Sequence, residues 1–251
     1  MEVHAHTHTA RKKWTHYLWE FLMLFLAVFC GFLAENQLEH FVEHQREIKF
    51  IKTLSEDIQA DIADLNKGIV GFGLFNRHMD SLILLLKDNR NMEKNAKPIY
   101  QQAVWVHYYY KITYYDRTIE QLRSSGSFRL IRNKNVSQAI MEYDGGMNNL
   151  LEMQNLFVFQ NKEKMLDLSN GVFKTSVAKI WLTKEDWSWH ETELPEAPYF
   201  LTTEKATIDR FVNQLYQYSM TTARFIGSIR NWALIKATRL DSLIKKEYDI
   251  K

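Results

Sequence analysis

Residues 40–44 read His-Phe-Val-Glu-His, the pattern of inverted zinc metallopeptidases. His40 and His44, four apart on a helix, share a face and could hold zinc, with Glu43 as the base. A hydrolase also needs a third ligand and a substrate cleft. This motif begins six residues after Ala34, at the end of an apolar run, on a stalk with Phe41 and Val42 turned towards a helical partner. Polar stalk surface is the expected role of His40 and His44, with a structural metal as the alternative. His4, His6 and His8 alternate at the start of the chain, with His16 further on. Alternating histidines can capture a transition metal, but a tail protonated near an acidic lipid surface is the plainer reading. There is no Gly-rich phosphate loop, GxSxG elbow or Cys/His nucleophile pair. The expectation is a protein that is not an enzyme and has no cofactor.

The elements that must carry these residues begin with the stretch WTHYLWEFLMLFLAVFCGFLAEN from Trp14 to Asn36. Phe21 to Ala34 is uncharged. Trp14 to Ala34 would make about 31 Å of helix, enough for a hydrocarbon core of about 30 Å. Trp14, Tyr17 and Trp19 gather at one end as interfacial aromatics do. A cleaved signal peptide is disfavoured by Phe32 where a small residue belongs. A lipoprotein signal ending at Cys30 is disfavoured by the bulky Phe29, and a buried helix of a soluble domain by the aromatic and basic flank. Glu20, about one turn inside, can reach the headgroups or meet a neighbouring helix. Gly31 and Ala34 would let such a neighbour approach closely. Arg11, Lys12 and Lys13 precede the span, whereas Glu35, Glu39 and Glu43 follow it. The positive-inside rule then keeps residues 1–13 in the cytoplasm, puts 14–35 across the membrane and exports 36–251.

Beyond the span, Leu38, Phe41, Val42, Ile48, Ile51, Leu54 and Ile58 recur at steps of three and four. That is a helix with one apolar stripe. Either later helices of this chain or the stalks of other copies must cover it, and a homo-oligomer is the favoured expectation. Gly68, Gly71 and Gly73 predict the first break. Further helices are expected over Leu74–Leu86 and from Pro98 to Leu122. In the latter, Tyr108, Ile112, Tyr115 and Ile119 form the core face, and Tyr110 and Tyr114 are free to touch a ligand or partner. Another runs from Asn135 to about Trp181, kinked at Gly145-Gly146, and two more cover Thr203–Tyr218 and Thr221–Tyr248. Trp187 and Trp189, in a loop ahead of Pro195 and Pro198, suit either a partner contact or packing over the bundle end. With 46% hydrophobic and 25% charged residues and few Gly or Pro, the predicted class is all-α. One transmembrane helix would continue into an extracytoplasmic antiparallel bundle.

A net charge of +2 offers no general nucleic-acid-binding surface, and a lone cysteine excludes an intrachain disulfide framework and a zinc ribbon.

The histidines at 4, 6 and 8, Lys12-Lys13-Trp14 and the block WEFLMLFLAVFCGFLAENQLEH resemble the opening of a family of single-pass membrane proteins from Bacteroidota. That family has a His-rich N-terminus and an EFxMxFLAVxxGFxAEN-type span. A second matching block runs from Leu122 to Ile131, followed by Ile140 and Tyr143; Asp144 departs from it, where a second aromatic would be expected. The resemblance implies a bacterial inner-membrane location with the bulk of the chain periplasmic, and it implies nothing about activity. The expected function is a non-enzymatic anchored interaction or scaffold module whose partners are the bilayer and either further copies or another membrane protein. A ligand sensor signalling through a partner is the alternative. The short tail before the span, without an output domain, favours the scaffold.

Overall fold

The computed structural model describes residues 14–182 and 193–250. They are predominantly helical, and the one isolated bridge among them pairs Phe173 with Phe200. The class is all-α, as the periodicity predicts. Contacts divide the chain between Phe50 and Ile51, and the two units are taken in turn.

Helix α1 runs from Trp14 to Leu86. In its first unit, up to Phe50, Gly31 is the only glycine and proline is absent, so nothing interrupts the i→i−4 ladder. Large apolar side chains point outward on every face from Leu18 to Leu33. Phe21, Phe25 and Phe29 form a stacked row along one face, with ring centroids 6.3 and 5.9 Å apart.

In the second unit, α1 has an inward row of Ile51, Leu54, Ile58, Leu65, Phe72, Phe75, Met79, Leu82 and Leu86, all buried. The helix does not break at Gly68, Gly71 or Gly73. Two of these glycines admit a neighbouring segment. A Cβ on Gly68 would lie 2.3 Å from Ile112 Cδ1, and one on Gly71 would lie 3.1 Å from the Tyr110 ring. The helical cost of each glycine, about 1 kcal/mol, is offset by that close approach.

The approaching segment corrects a second expectation. The helix expected from Pro98 to Leu122 is three pieces: α2 (Ala96–Ala103) with a 3₁₀ turn to His107, an extended stretch over 108–116, and α3 (Arg117–Ser124). Tyrosines, Thr113 and Ile112 suit an extended backbone, and its period is two. Ile112 is buried and Tyr110 and Tyr114 are half-buried, while Tyr108, Tyr109 and Tyr115 are exposed. Of the expected core face, Ile112 and Ile119 are buried, whereas Tyr108 and Tyr115 face outward.

An extended chain packed on a helix has no strand to bond with, so its N–H groups need other acceptors. Aspartates on α1 supply them. Asp64 accepts from the Thr113 N–H at 2.8 Å and the Tyr110 hydroxyl at 2.7 Å. Asp61 accepts from the Tyr115 N–H at 2.8 Å and the Tyr143 hydroxyl at 2.9 Å. Asp57 accepts from the Thr118 N–H at 3.0 Å and Arg117 at 2.6 Å. Gln154 takes the Ile112 N–H at 2.8 Å. Carboxylates four and three residues apart on a helix advance about 6 and 4.5 Å, close to the stride of alternate residues in an extended chain. Burial pushes Asp61 up to about 7, reinforced by the charges of Asp57 and Asp64 and opposed by its two hydrogen bonds.

Helix α4 (Lys134–Met153), a π-helical turn (Gln154–Phe159) and α5 (Gln160–Asn170) form one rod. Asn133 caps its start, accepting from the Asn135 N–H at 3.0 Å. The rod passes through Gly145-Gly146 and stops at Gly171, before α6 (Thr175–Leu182). The last rod is α7 (Lys205–Ser228), a second π-turn (Ile229–Ala233) and α8 (Leu234–Tyr248), unbroken where a division near Tyr218 was expected. Helix α4 packs on α8, and α5 on α7, so these rods are antiparallel. Ser55 bonds Asp241 at 2.7 Å, and Thr222 bonds Asn76 at 2.5 Å, so α1 also runs against the last rod. Within this unit the order is up, down, up, down, with an extended stretch in the middle of the second element.

Tyr100 ties the connections together. Its hydroxyl donates to the Tyr199 carbonyl at 2.6 Å and accepts from the Lys174 N–H at 2.9 Å. Tyr100→Phe leaves both without this partner, so a loss of about 1–3 kcal/mol in denaturant unfolding is expected. An unchanged midpoint would show that water replaces the hydroxyl.

Candidate functional site

The residues singled out by the sequence divide into those on the exposed helix and those in the bundle. Trp14, Tyr17 and Trp19 are exposed, and Glu20 pairs with His16 at 2.9 Å within the same helix. Gly31 has nothing within 4 Å of a built Cβ, and Ala34 is exposed. Among the described residues this is the one helix with a stretch apolar and long enough to cross a membrane, and none of that stretch is buried.

His40 and His44 are exposed, and His44 Nδ1 lies 3.3 Å from Glu47. No three His, Cys, Asp or Glu side chains among the described residues come together in a metal-binding group. His4, His6, His8, Arg11, Lys12, Lys13, Trp187 and Trp189 lie outside the described residues.

The apolar stripe does not have one fate. Leu38 and Phe41 are 64% and 62% exposed, Val42 is 38% exposed and Ile48 is half-buried. Ile51 is fully buried in the bundle and is not available to another copy. Leu54 and Ile58 are likewise covered by this chain's own core.

The bundle carries a groove that sequence reasoning missed. It is an open groove of about 590 Å³ between α4 and the last rod, with Met141, Gly145, Gly146, Met153 and Trp232 in its lining. A Cβ on Gly146 would lie 1.7 Å from the Trp232 ring, so the indole rests on the helix backbone. Met141 and Met153 are exposed beside it, and Leu150 is buried at its floor. Lys236 bridges to Glu142 at 3.1 Å. Hydrogen bonds from Lys236 and Gln138 hold the Glu142 carboxyl below its ordinary range. One π-turn begins just after Met153, and the other contains Trp232. Such turns gather at functional sites because the extra residue re-aims side chains. A Gly pair in one helical pattern and a Trp in another, far apart in the chain, gave no means of pairing them.

Asp144 directly precedes the two groove glycines in α4. It accepts from the Tyr114 hydroxyl at 3.0 Å and from Arg123 at 2.5 Å. Its carboxylate therefore anchors the extended segment and α3, work that an aromatic could not do.

Comparison with family models, with curated proteins and with solved structures returns no match.

Proposed function

We propose that the chain is a non-enzymatic, membrane-anchored interaction module whose exported bundle docks an apolar element of a partner protein. The observation that carries this reading is the Trp232 groove: a backbone-seated indole flanked by exposed methionines, which adapt to varied apolar surfaces. The uncovered apolar helix from Trp14 to Ala34 supports anchoring, because each large side chain left in water is unfavourable by about 1.5–3 kcal/mol. Arg11, Lys12 and Lys13 orient it with the bundle in the periplasm of a bacterial inner membrane, and the resemblance to Bacteroidota single-pass proteins agrees. The test is a photo-crosslinking residue in place of Met141 or Met153 in living cells, with Val70 as a control on the bundle surface. Discrete protein adducts from the groove positions alone are expected. Equal adducts from Val70, or none from the groove, would overturn the docking reading.

Self-association through the membrane-proximal helix is a second part of the proposal. Leu38, Phe41 and Val42 are the exposed remainder of the stripe, and Gly31, Ala34 and Glu20 continue a contact face into the span. Phe41→Asp is expected to lower the assembly mass in detergent while helicity is unchanged. A monomer at all concentrations in the unmutated protein would contradict it.

A further inference from the structure

Lys162 is a buried charge without a salt-bridge partner among the described residues. The residue is 8% exposed. Nζ donates to the His107 carbonyl at 3.1 Å and stands 3.9 Å from the centroid of the Tyr109 ring. No carboxylate pairs with it among the described residues. One carbonyl and one ring face replace only part of an ammonium's hydration, so the charge is costly where it sits. Burial accordingly lowers Lys162 to about 8, and burial followed by the Lys162 charge lowers His107.

The local helix holds the lysine in this position. The π-turn over Gln154–Phe159 ends three residues before Lys162. An extra residue in a turn rotates the residues after it by about 100° relative to a regular helix. Gln154, at the start of the turn, bonds the Ile112 N–H, and Lys162, beyond it, bonds the His107 carbonyl. The start and the middle of the extended segment are thus bound to one rod, on either side of its π-turn.

Lys162 borders an open surface pocket of about 360 Å³ with Tyr109, Lys111, Phe159, Glu163 and Leu166. The Tyr109 and Phe159 rings meet edge to face at 5.6 Å. This volume lies within the range of small-ligand sites, which combine apolar walls with a few polar groups. We propose that this open pocket binds a small organic carboxylate with a flat apolar body. The carboxylate would pair with Lys162, and the body would lie against Tyr109, Phe159 and Leu166. Lys111 adds a second positive charge to the lining, whereas Glu163 adds a negative one. That balance favours a monoanion over a phosphate dianion. The site is separate from the Trp232 groove and does not depend on the docking reading.

The test uses the full chain in detergent, titrated with 2-naphthoate, with the uncharged 2-naphthalenemethanol and with inorganic phosphate. Saturable binding of 2-naphthoate is expected, at least about tenfold tighter than the alcohol, through one charge-assisted pair. Phosphate should not compete. Affinity should fall as pH rises through about 8, where the amine loses its proton. Lys162→Met should bind naphthoate no better than the alcohol, and Lys162→Arg should retain the preference. Equal binding of naphthoate and alcohol by the unmutated protein would overturn the proposal without any variant having to fold. Unaltered naphthoate binding by a folded Lys162→Met, competition by phosphate, or no saturation at millimolar naphthoate would overturn it too.

Discussion

Asp61→Leu is expected to destabilise the bundle severely, whereas Asp61→Asn keeps it folded and removes a pH dependence. Leucine strands the Tyr115 N–H and the Tyr143 hydroxyl, both bound to Asp61. Each buried donor left unpaired costs about 1–3 kcal/mol, against a typical total of about 5–15. Asparagine keeps an acceptor for the Tyr115 N–H, and its amide can donate to a turned Tyr143 hydroxyl. The pH effect follows from Asp61 titrating at about 7 when folded and near 3.8 when exposed. Between those values the folded chain binds the extra proton. Its contribution to stability is therefore complete below about 3.8 and is lost as pH rises to about 7, amounting to roughly 4 kcal/mol at most. Denaturant midpoints of the unmutated protein minus those of Asp61→Asn should fall across that window. A flat difference would show that Asp61 is ionised in the fold throughout.

Gly146→Val is expected to expel Trp232 from its seat, because a Cβ there would lie 1.7 Å from the ring. Overpacking of this kind costs about 1–3 kcal/mol. Once Trp232→Ala has removed the ring, the valine has little left to displace, so the double variant should resemble Trp232→Ala alone. A double-mutant cycle should then show coupling of at least about 1 kcal/mol. Both single variants should also abolish crosslinking from Met141. Additive effects, or crosslinking that survives Gly146→Val, would remove Trp232 from the site.

The all-α class and the apolar N-terminal helix were legible because each rests on one continuous pattern. The uninterrupted apolar run and the three-and-four spacing hold whatever the chain packs against. The segment 108–116 misled for the opposite reason. Its apolar and aromatic residues satisfy a helical period at 108, 112 and 115 and an alternating one at 110, 112 and 114. The aspartates that decide between them lie some fifty residues earlier in the chain. Gly68 and Gly71 looked like breaks because the close approach of Tyr110 and Ile112 is a property of the fold alone. The Trp232 groove and the Lys162 pocket each lie beside a π-turn, whose one-residue shift leaves no mark in hydrophobic spacing.

Display of the bundle outside the membrane underlies the proposed docking role, and impermeant labelling tests it directly. With Cys30→Ser removing the native thiol and Val70→Cys placing one at an exposed bundle position, a membrane-impermeant maleimide is added to cells whose outer membrane alone is permeabilised. An exported bundle is labelled at once, to the same extent as after full lysis. Labelling that appears only after lysis would put the bundle in the cytoplasm and contradict the proposed role.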